Sequence, residues 1–216
     1  MFDPVPAPVG PFVASTRPVS NGHDGPGPVL GIDPGLSRCG YGAVHRTGAT
    51  MTAVSFGVLR TDREAPLPER LATLEADLGE LFDEVRPRAV AVERVLFQTN
   101  VRTAISVGQA SGLALVVAAR AGVPVTHYSP NEVKLAVTGS GTADKAQVQE
   151  MVARLLALDP APKSPDAADA LALALCHCWA LPMQRAAGAP AGDRKPQPAP
   201  GLARAVAAAL ERDARA

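Results

Sequence analysis

Residues 29–44 read VLGIDPGLSRCGYGAV. The first five, VLGID, form a short apolar run that ends on a carboxylate, and Pro34-Gly35 then turns the chain. Residues 39–46 and 51–60 continue as two further strands joined around Thr47-Gly48. Beyond them the period changes. In 67–86 (LPERLATLEADLGELFDEVR), Leu67, Leu71, Leu74, Leu78 and Leu81 fall three or four apart, which predicts an amphipathic helix stopped by Pro87. AVAVE (89–93) is a second buried-type strand that ends on a carboxylate. A long helix rich in small residues follows over 101–120, closed by Gly122. A strand over 124–129, a short helix over 130–137, a Gly-containing loop at 139–141 and helices near 144–158 and 165–181 complete the pattern. This order predicts an α/β domain with a mixed sheet flanked by helices.

The flanks are different in kind. Residues 1–28 (MFDPVPAPVGPFVASTRPVSNGHDGPGP) mix Pro, Gly and small residues without a helical or strand period, so they are read as a disordered or spurious extension. The tail from Pro182 is rich in Pro and Ala, and its last stretch, 202–214, has no clear apolar face. The folded part is therefore placed at 29–181. It carries 14 basic and 16 acidic residues, while 182–216 carries 6 basic and 3 acidic. Over the whole 216-residue chain, 21 Lys+Arg balance 21 Asp+Glu, which removes the simple inference of a strongly basic nucleic-acid binder but leaves room for a local basic patch. The three cysteines, Cys39, Cys176 and Cys178, are too few and too uneven for a disulfide framework. No uninterrupted apolar run approaches the ~18 residues of a bilayer span, and a cytoplasmic protein is expected.

The chemistry is expected at the carboxylates. Asp33 and Glu93 each close an apolar strand, and in an open α/β sheet ligands bind in the crevice beyond the strand C-termini. Ser164-Pro165-Asp166 then opens a helix, with Asp169 one turn on and on the same face. The intervening Ala167 and Ala168 are small enough for that helix to approach a sheet closely. Each piece alone is weak: Asp-Pro-Gly is usually a turn, a strand-ending Glu is usually solvated, and acids in a first helical turn usually answer the helix dipole. Together, four carboxylates in one crevice repel one another unless cations sit among them. Oxygen ligands without His or Cys select Mg²⁺ or Mn²⁺ over zinc, and a pair of such ions suits in-line displacement at a phosphodiester.

VLGIDPGLSRCGYGAV, AVAVERVLFQTNVRTAISVGQASGLAL, VKLAVTGSGTADKAQVQEMV and SPDAADALALALCHCW, in this order, resemble the RuvC family of Holliday junction resolvases over essentially all of 29–181. The resemblance implies an RNase H-like fold, a homodimer, and Mg²⁺-dependent cleavage of four-way junction DNA by two ions per subunit, leaving 5′-phosphate and 3′-hydroxyl ends. It also implies cooperation with the RuvA–RuvB branch-migration complex. The family's four catalytic, metal-binding acids fall on Asp33, Glu93, Asp166 and Asp169, and its basic DNA-contacting positions on Lys134 and Lys145. The family carries a base-wedging aromatic three positions after the second acid. Leu96 stands there in this chain, with Phe97 beside it as the candidate replacement.

Only four lysines occur among the basic residues, and Lys134 and Lys145 flank the loop VTGSGTAD, whose Gly139 and Gly141 are expected to let backbone N–H groups approach a phosphate. Arg38, Arg94 and Arg102 are further candidates for the same basic surface. Cys176-His177-Cys178 has the look of a metal motif, yet side chains at i and i+2 of a helix diverge, so buried structural thiols are expected. Two rival readings exist. An actin-like kinase also uses a strand-ending Asp against phosphate, but it needs a duplicated fold that ~150 residues cannot hold. A non-catalytic DNA-binding module of the same fold is disfavoured by intact acids at all four positions.

Overall fold

A computed structural model of the chain describes residues 27–94 and 101–186, with the backbone alone at 101, 102 and 181–186. Five strands form one sheet: β1 (Val29–Asp33), β2 (Arg38–Thr47), β3 (Thr50–Arg60), β4 (Ala89–Glu93) and β5 (Val125–Tyr128). Their spatial order is β3-β2-β1-β4-β5. The first three strands form an antiparallel meander, while β4 and β5 run parallel to β1, as helical crossovers require. The helices are α1 (Leu67–Val85), α2 (Val101–Arg120), α3 (Pro130–Thr138), α4 (Lys145–Leu155) and α5 (Pro165–Ala186). This is the mixed, helix-flanked sheet of the RNase H-like class. The elements follow the sequence periodicities closely, except that α5 continues to Ala186, past 181. At the other end the Pro28 carbonyl already accepts the Arg88 N–H at 2.9 Å, so ordered pairing begins just before β1.

Side-chain alternation splits the core between the two faces of the sheet. Leu30, Ile32, Tyr41, Val90 and Val92 point to one side, where Leu74, Leu78 and Leu81 of α1 and Ala110 and Ala114 of α2 cover them. Val29, Val44, Ala91 and Tyr128 point to the other, against α3, α4 and Leu171 and Leu175 of α5. By the same alternation Asp33 and Glu93 lie on the α5 side.

That second layer is very thin. A Cβ on Gly31 would stand 1.9 Å from the Ala170 carbonyl oxygen, and one on Gly40 would stand 2.1 Å from the carbonyl oxygen of Asp166. Close approach of α5 thus depends on glycines in β1 and β2 as much as on the alanines of the helix. Glycine within a strand signals this kind of backbone approach, and GYG (40–42) carried the signal.

Helix α2 presents the opposite case. Its Thr103–Arg120 window is apolar and long enough to cross a bilayer, with mean hydropathy 1.3, although the sequence shows no unbroken apolar run of that length. Only 28% of that window is buried, and Ile105 and Val116 are exposed. The helix covers the sheet with its alanines and leaves an apolar face outward.

Candidate active site

The parallel pairing of β1 with β4 places Ile32 opposite Val92, so the next residues, Asp33 and Glu93, stand side by side at the sheet's C-terminal edge. The first turn of α5, seated over Gly40, brings Asp166 and Asp169 to the same edge. The four acids expected to share a crevice therefore converge. Their electrostatics register it. Burial pushes the Asp33 carboxyl up to about 8, with the charges of Glu93, Asp169 and Asp166 adding to the effect and Lys145 opposing it. Burial also raises Glu93, next to Asp169, while Lys145 and a hydrogen bond with Asp33 pull it back. Asp169 is raised by burial and by Asp166, against Lys145 and Lys134. Without metal, the Asp33–Glu93 pair thus favours a shared proton, which the hydrogen bond between them accommodates.

The other two acids are balanced by cationic side chains. Arg38 reaches from β2 to Asp166, with Nε donating to Oδ2 at 2.6 Å and Nη2 at 2.6 Å from the same oxygen. Nη2 also donates to the Ser164 hydroxyl at 3.1 Å. Lys145 Nζ lies 3.5 Å from Asp169 Oδ2, a loose contact from a lysine that is 76% exposed. Lys145 is the first residue of α4, which is held by a capping box between Asp144 and Gln147. Lys134 sits on α3, itself started by a Ser129–Glu132 capping box. Both expected lysines therefore flank the acidic crevice.

Among the described residues no three His, Cys, Asp or Glu side chains close on one point as a formed metal cage. Two of the four acids are instead engaged by cationic side chains, Asp166 by Arg38 and Asp169 by Lys145. The donor set fits a hard divalent cation nonetheless. Every candidate ligand is a carboxylate oxygen, and a bound cation would offset the burial and, behind it, the mutual repulsion that raise the Asp33, Glu93 and Asp169 carboxyls.

Some expectations are corrected or relocated. In the loop after α3 the Gly139, Ser140 and Thr142 amides already have partners, so of the two glycines expected to face a phosphate Gly139 does not offer its N–H. Gly139, at φ +74°, closes α3 and donates its N–H to the Leu135 carbonyl. The Ser140 and Thr142 N–H groups go to the Thr138 and Ser140 hydroxyls. Arg38, a candidate for the same basic surface as the two lysines, is turned onto Asp166. Cys176, His177 and Cys178 are buried, with His177 Nδ1 2.7 Å from the Tyr128 hydroxyl. Leu96 and Phe97 lie outside the described residues, as does the Arg102 side chain. The sequence reading missed a brace on the β1–β2 loop. Arg70 donates to the Ser37 hydroxyl at 2.6 Å and the Thr61 hydroxyl at 3.1 Å, and Thr61 donates to the Leu36 carbonyl at 2.6 Å. Nothing in local sequence marks that network, since its members come from three separate segments, the β1–β2 loop, the stretch just after β3 and α1.

Residues 29–177 match the family described as crossover junction endodeoxyribonuclease RuvC. The RuvC protein of Streptomyces avermitilis is 55% identical over 157 residues, covering 72% of this chain and 89% of the relative. That of Salinispora arenicola is 57% identical over 152 residues, covering 70% of this chain and 87% of the relative. Among solved structures, Thermus thermophilus RuvC in complex with a Holliday junction substrate superposes with a TM-score of 0.69 at 39% identity, over 73% of this chain and 96% of that one. The yeast mitochondrial resolvase Ydc2, at 16% identity and a TM-score of 0.51 over 68% of this chain and 77% of that one, shares the fold.

Proposed function

Because the chain belongs to the RuvC family of crossover junction endodeoxyribonucleases, we propose that it resolves Holliday junctions by nicking two strands symmetrically, in recombination and DNA repair. The convergence of Asp33, Glu93, Asp166 and Asp169 at one end of β1, β4 and α5 carries this reading. These four acids would hold two Mg²⁺ ions, with Mn²⁺ able to substitute. When bound, the ions supply water activation and stabilisation of the leaving 3′ oxygen, giving 5′-phosphate and 3′-hydroxyl ends. The protein's own part is positional. Glu93 and Asp33 present adjacent oxygens from the rigid sheet, and α5 presents two more from a helix locked down over glycine.

Lys134 and Lys145 neutralise junction phosphates beside the crevice, which positions DNA without reading its sequence. Phe97 is proposed to take up the base-wedging role next to Leu96. A four-way junction has two-fold character, so a homodimer places one crevice at each cut. The exposed apolar face of α2 with Ile105 and Val116 supports such a pairing, since burial against a second copy accounts for an otherwise uncovered stripe. Family membership extends the reading to junctions delivered by RuvA–RuvB in the cytoplasm. The deciding experiment incubates the protein with an end-labelled synthetic four-way junction and with linear duplex, each with Mg²⁺ or EDTA. Paired symmetric nicks in the junction alone, and only with Mg²⁺, are expected. Equal cutting of duplex, or cutting in EDTA, overturns the proposal.

A further inference from the structure

We infer that Arg38 is a positioning residue for Asp166, holding one carboxylate oxygen so that the other is presented to the crevice's cations. The inference rests on the four-acid reading above and concerns a residue outside it. Both guanidinium contacts with Asp166 fall on Oδ2, through Nε and Nη2 at 2.6 Å each. The same Nη2 is anchored to the Ser164 hydroxyl, which in turn lies 3.5 Å from Oδ2. Oδ1 is left untouched by the arginine.

The arginine is held from its other end as well. It begins β2, directly after a loop in which Arg70 grips Ser37 and Thr61 grips Leu36. Two residues further along β2, Gly40 lies against the backbone carbonyl of Asp166. Donor and acceptor thus ride on two segments fixed against each other, and the guanidinium fork suits such a geometry better than a point charge does. Partly exposed ion pairs stabilise a fold little. At a site that needs carboxylates in register, the consequence is orientation.

This assignment has an electrostatic signature. A guanidinium beside a cation site opposes cation binding through its charge, while the hydrogen bonds favour the productive rotamer of Asp166. Removing it should therefore separate two quantities that usually fall together. In Arg38→Met, Mn²⁺ binding to the junction-free dimer, followed by calorimetry, should hold or tighten. Single-turnover cleavage of a four-way junction at saturating Mg²⁺ should fall about 10- to 100-fold, the scale of a small misplacement of a reacting group. Junction affinity in EDTA, and its salt dependence, should stay at wild-type values. Arg38→Lys keeps the charge and loses the fork, so it should cut slowly with unchanged Mn²⁺ affinity. That variant carries the test if Arg38→Met does not fold.

Three results overturn the inference. Weaker EDTA binding with a salt slope lower by about one would make Arg38 a phosphate contact. Loss of Mn²⁺ binding together with a lowered melting temperature would make it merely structural. Wild-type cleavage in both variants would remove any role. Asp166→Asn, run alongside, keeps the two readings apart. If it binds Mn²⁺ and cuts as wild type does, the four-acid reading falls. If it is impaired while both Arg38 variants are not, only the inference about Arg38 falls.

Discussion

Near its start α5 presents Asp166 and Asp169 to an open crevice, and further along it carries Cys176, His177 and Cys178 into the core. Each cluster contains ionisable side chains that burial drives toward their neutral forms: Asp33, Glu93 and Asp169 around the crevice, and all three residues in the core. At the core cluster burial dominates: the Cys176 thiol is pushed up to about 12 and the Cys178 thiol to about 11, while His177 falls to about 4. His177 is neutral, bonded to Tyr128, and nothing there invites a cation. At the crevice, like charges add to burial, and the acids retain exposure through which an ion can reach them. Perturbed ionisation alone does not mark a site. Accumulated charge of one sign together with access does.

The strongest way to break this comparison is to neutralise each cluster in turn. Asp33→Asn, Glu93→Gln, Asp166→Asn and Asp169→Asn should each lower junction cleavage in Mg²⁺ by roughly 10² or more. Cys176→Ala should leave the rate of the folded enzyme within a few-fold. A Cys176 variant that folds normally and is as inactive as Asp33→Asn would erase the distinction.

Gly40→Ala tests whether the crevice depends on the close seating of α5. The added Cβ meets backbone rather than a flexible side chain, so about 1–3 kcal/mol of stability should be lost and α5 displaced. Chemical denaturation measures the first effect and cleavage by the surviving folded fraction the second. A fully active, fully stable variant would show that the seating is not required.

The pH dependence of metal-free stability sharpens the comparison, because Asp33 and His177 carry opposite signs. Asp33 is raised from an unfolded value near 4 to about 8, so the folded state holds the extra proton between those values and loses stability as pH rises through them. Asp33→Asn should melt a few degrees above wild type in EDTA at pH 8.5, with the advantage vanishing near pH 4. His177 is lowered to about 4, so its contribution is complete above pH 6.5 and is lost as pH falls toward 4. Relative to His177→Gln, wild type should lose stability over that acid window. Melting curves from pH 4 to 8.5 decide both signs, and a pH-independent difference in either pair contradicts the assignment.

The smallest expected effect lies on the rim. Lys134→Ala and Lys145→Ala should each reduce the salt slope of junction binding in EDTA by about one unit, with folding unchanged. Unchanged affinity and slope in both would remove the lysines from the DNA surface.

Much of this is legible in the sequence alone. Strand-ending acids, leucines three or four apart, and an acid pair at the start of an alanine-rich helix are local signals. Local signals survive in one dimension because helix and strand periods are set by the backbone itself. They placed nearly every element and all four acids. The direction in which Arg38 turns was not legible, because its partner is 128 positions away and no rule of spacing links a β2 residue to a helix start. Nor was the fate of the Gly139 amide, which the end of α3 consumes before any ligand can use it. The sequence by itself determined which carboxylates end which elements. Only the tertiary structure decided what neutralises each of them, since Coulomb and hydrogen-bond partners are chosen by distance in space, which packing over Gly31 and Gly40 sets.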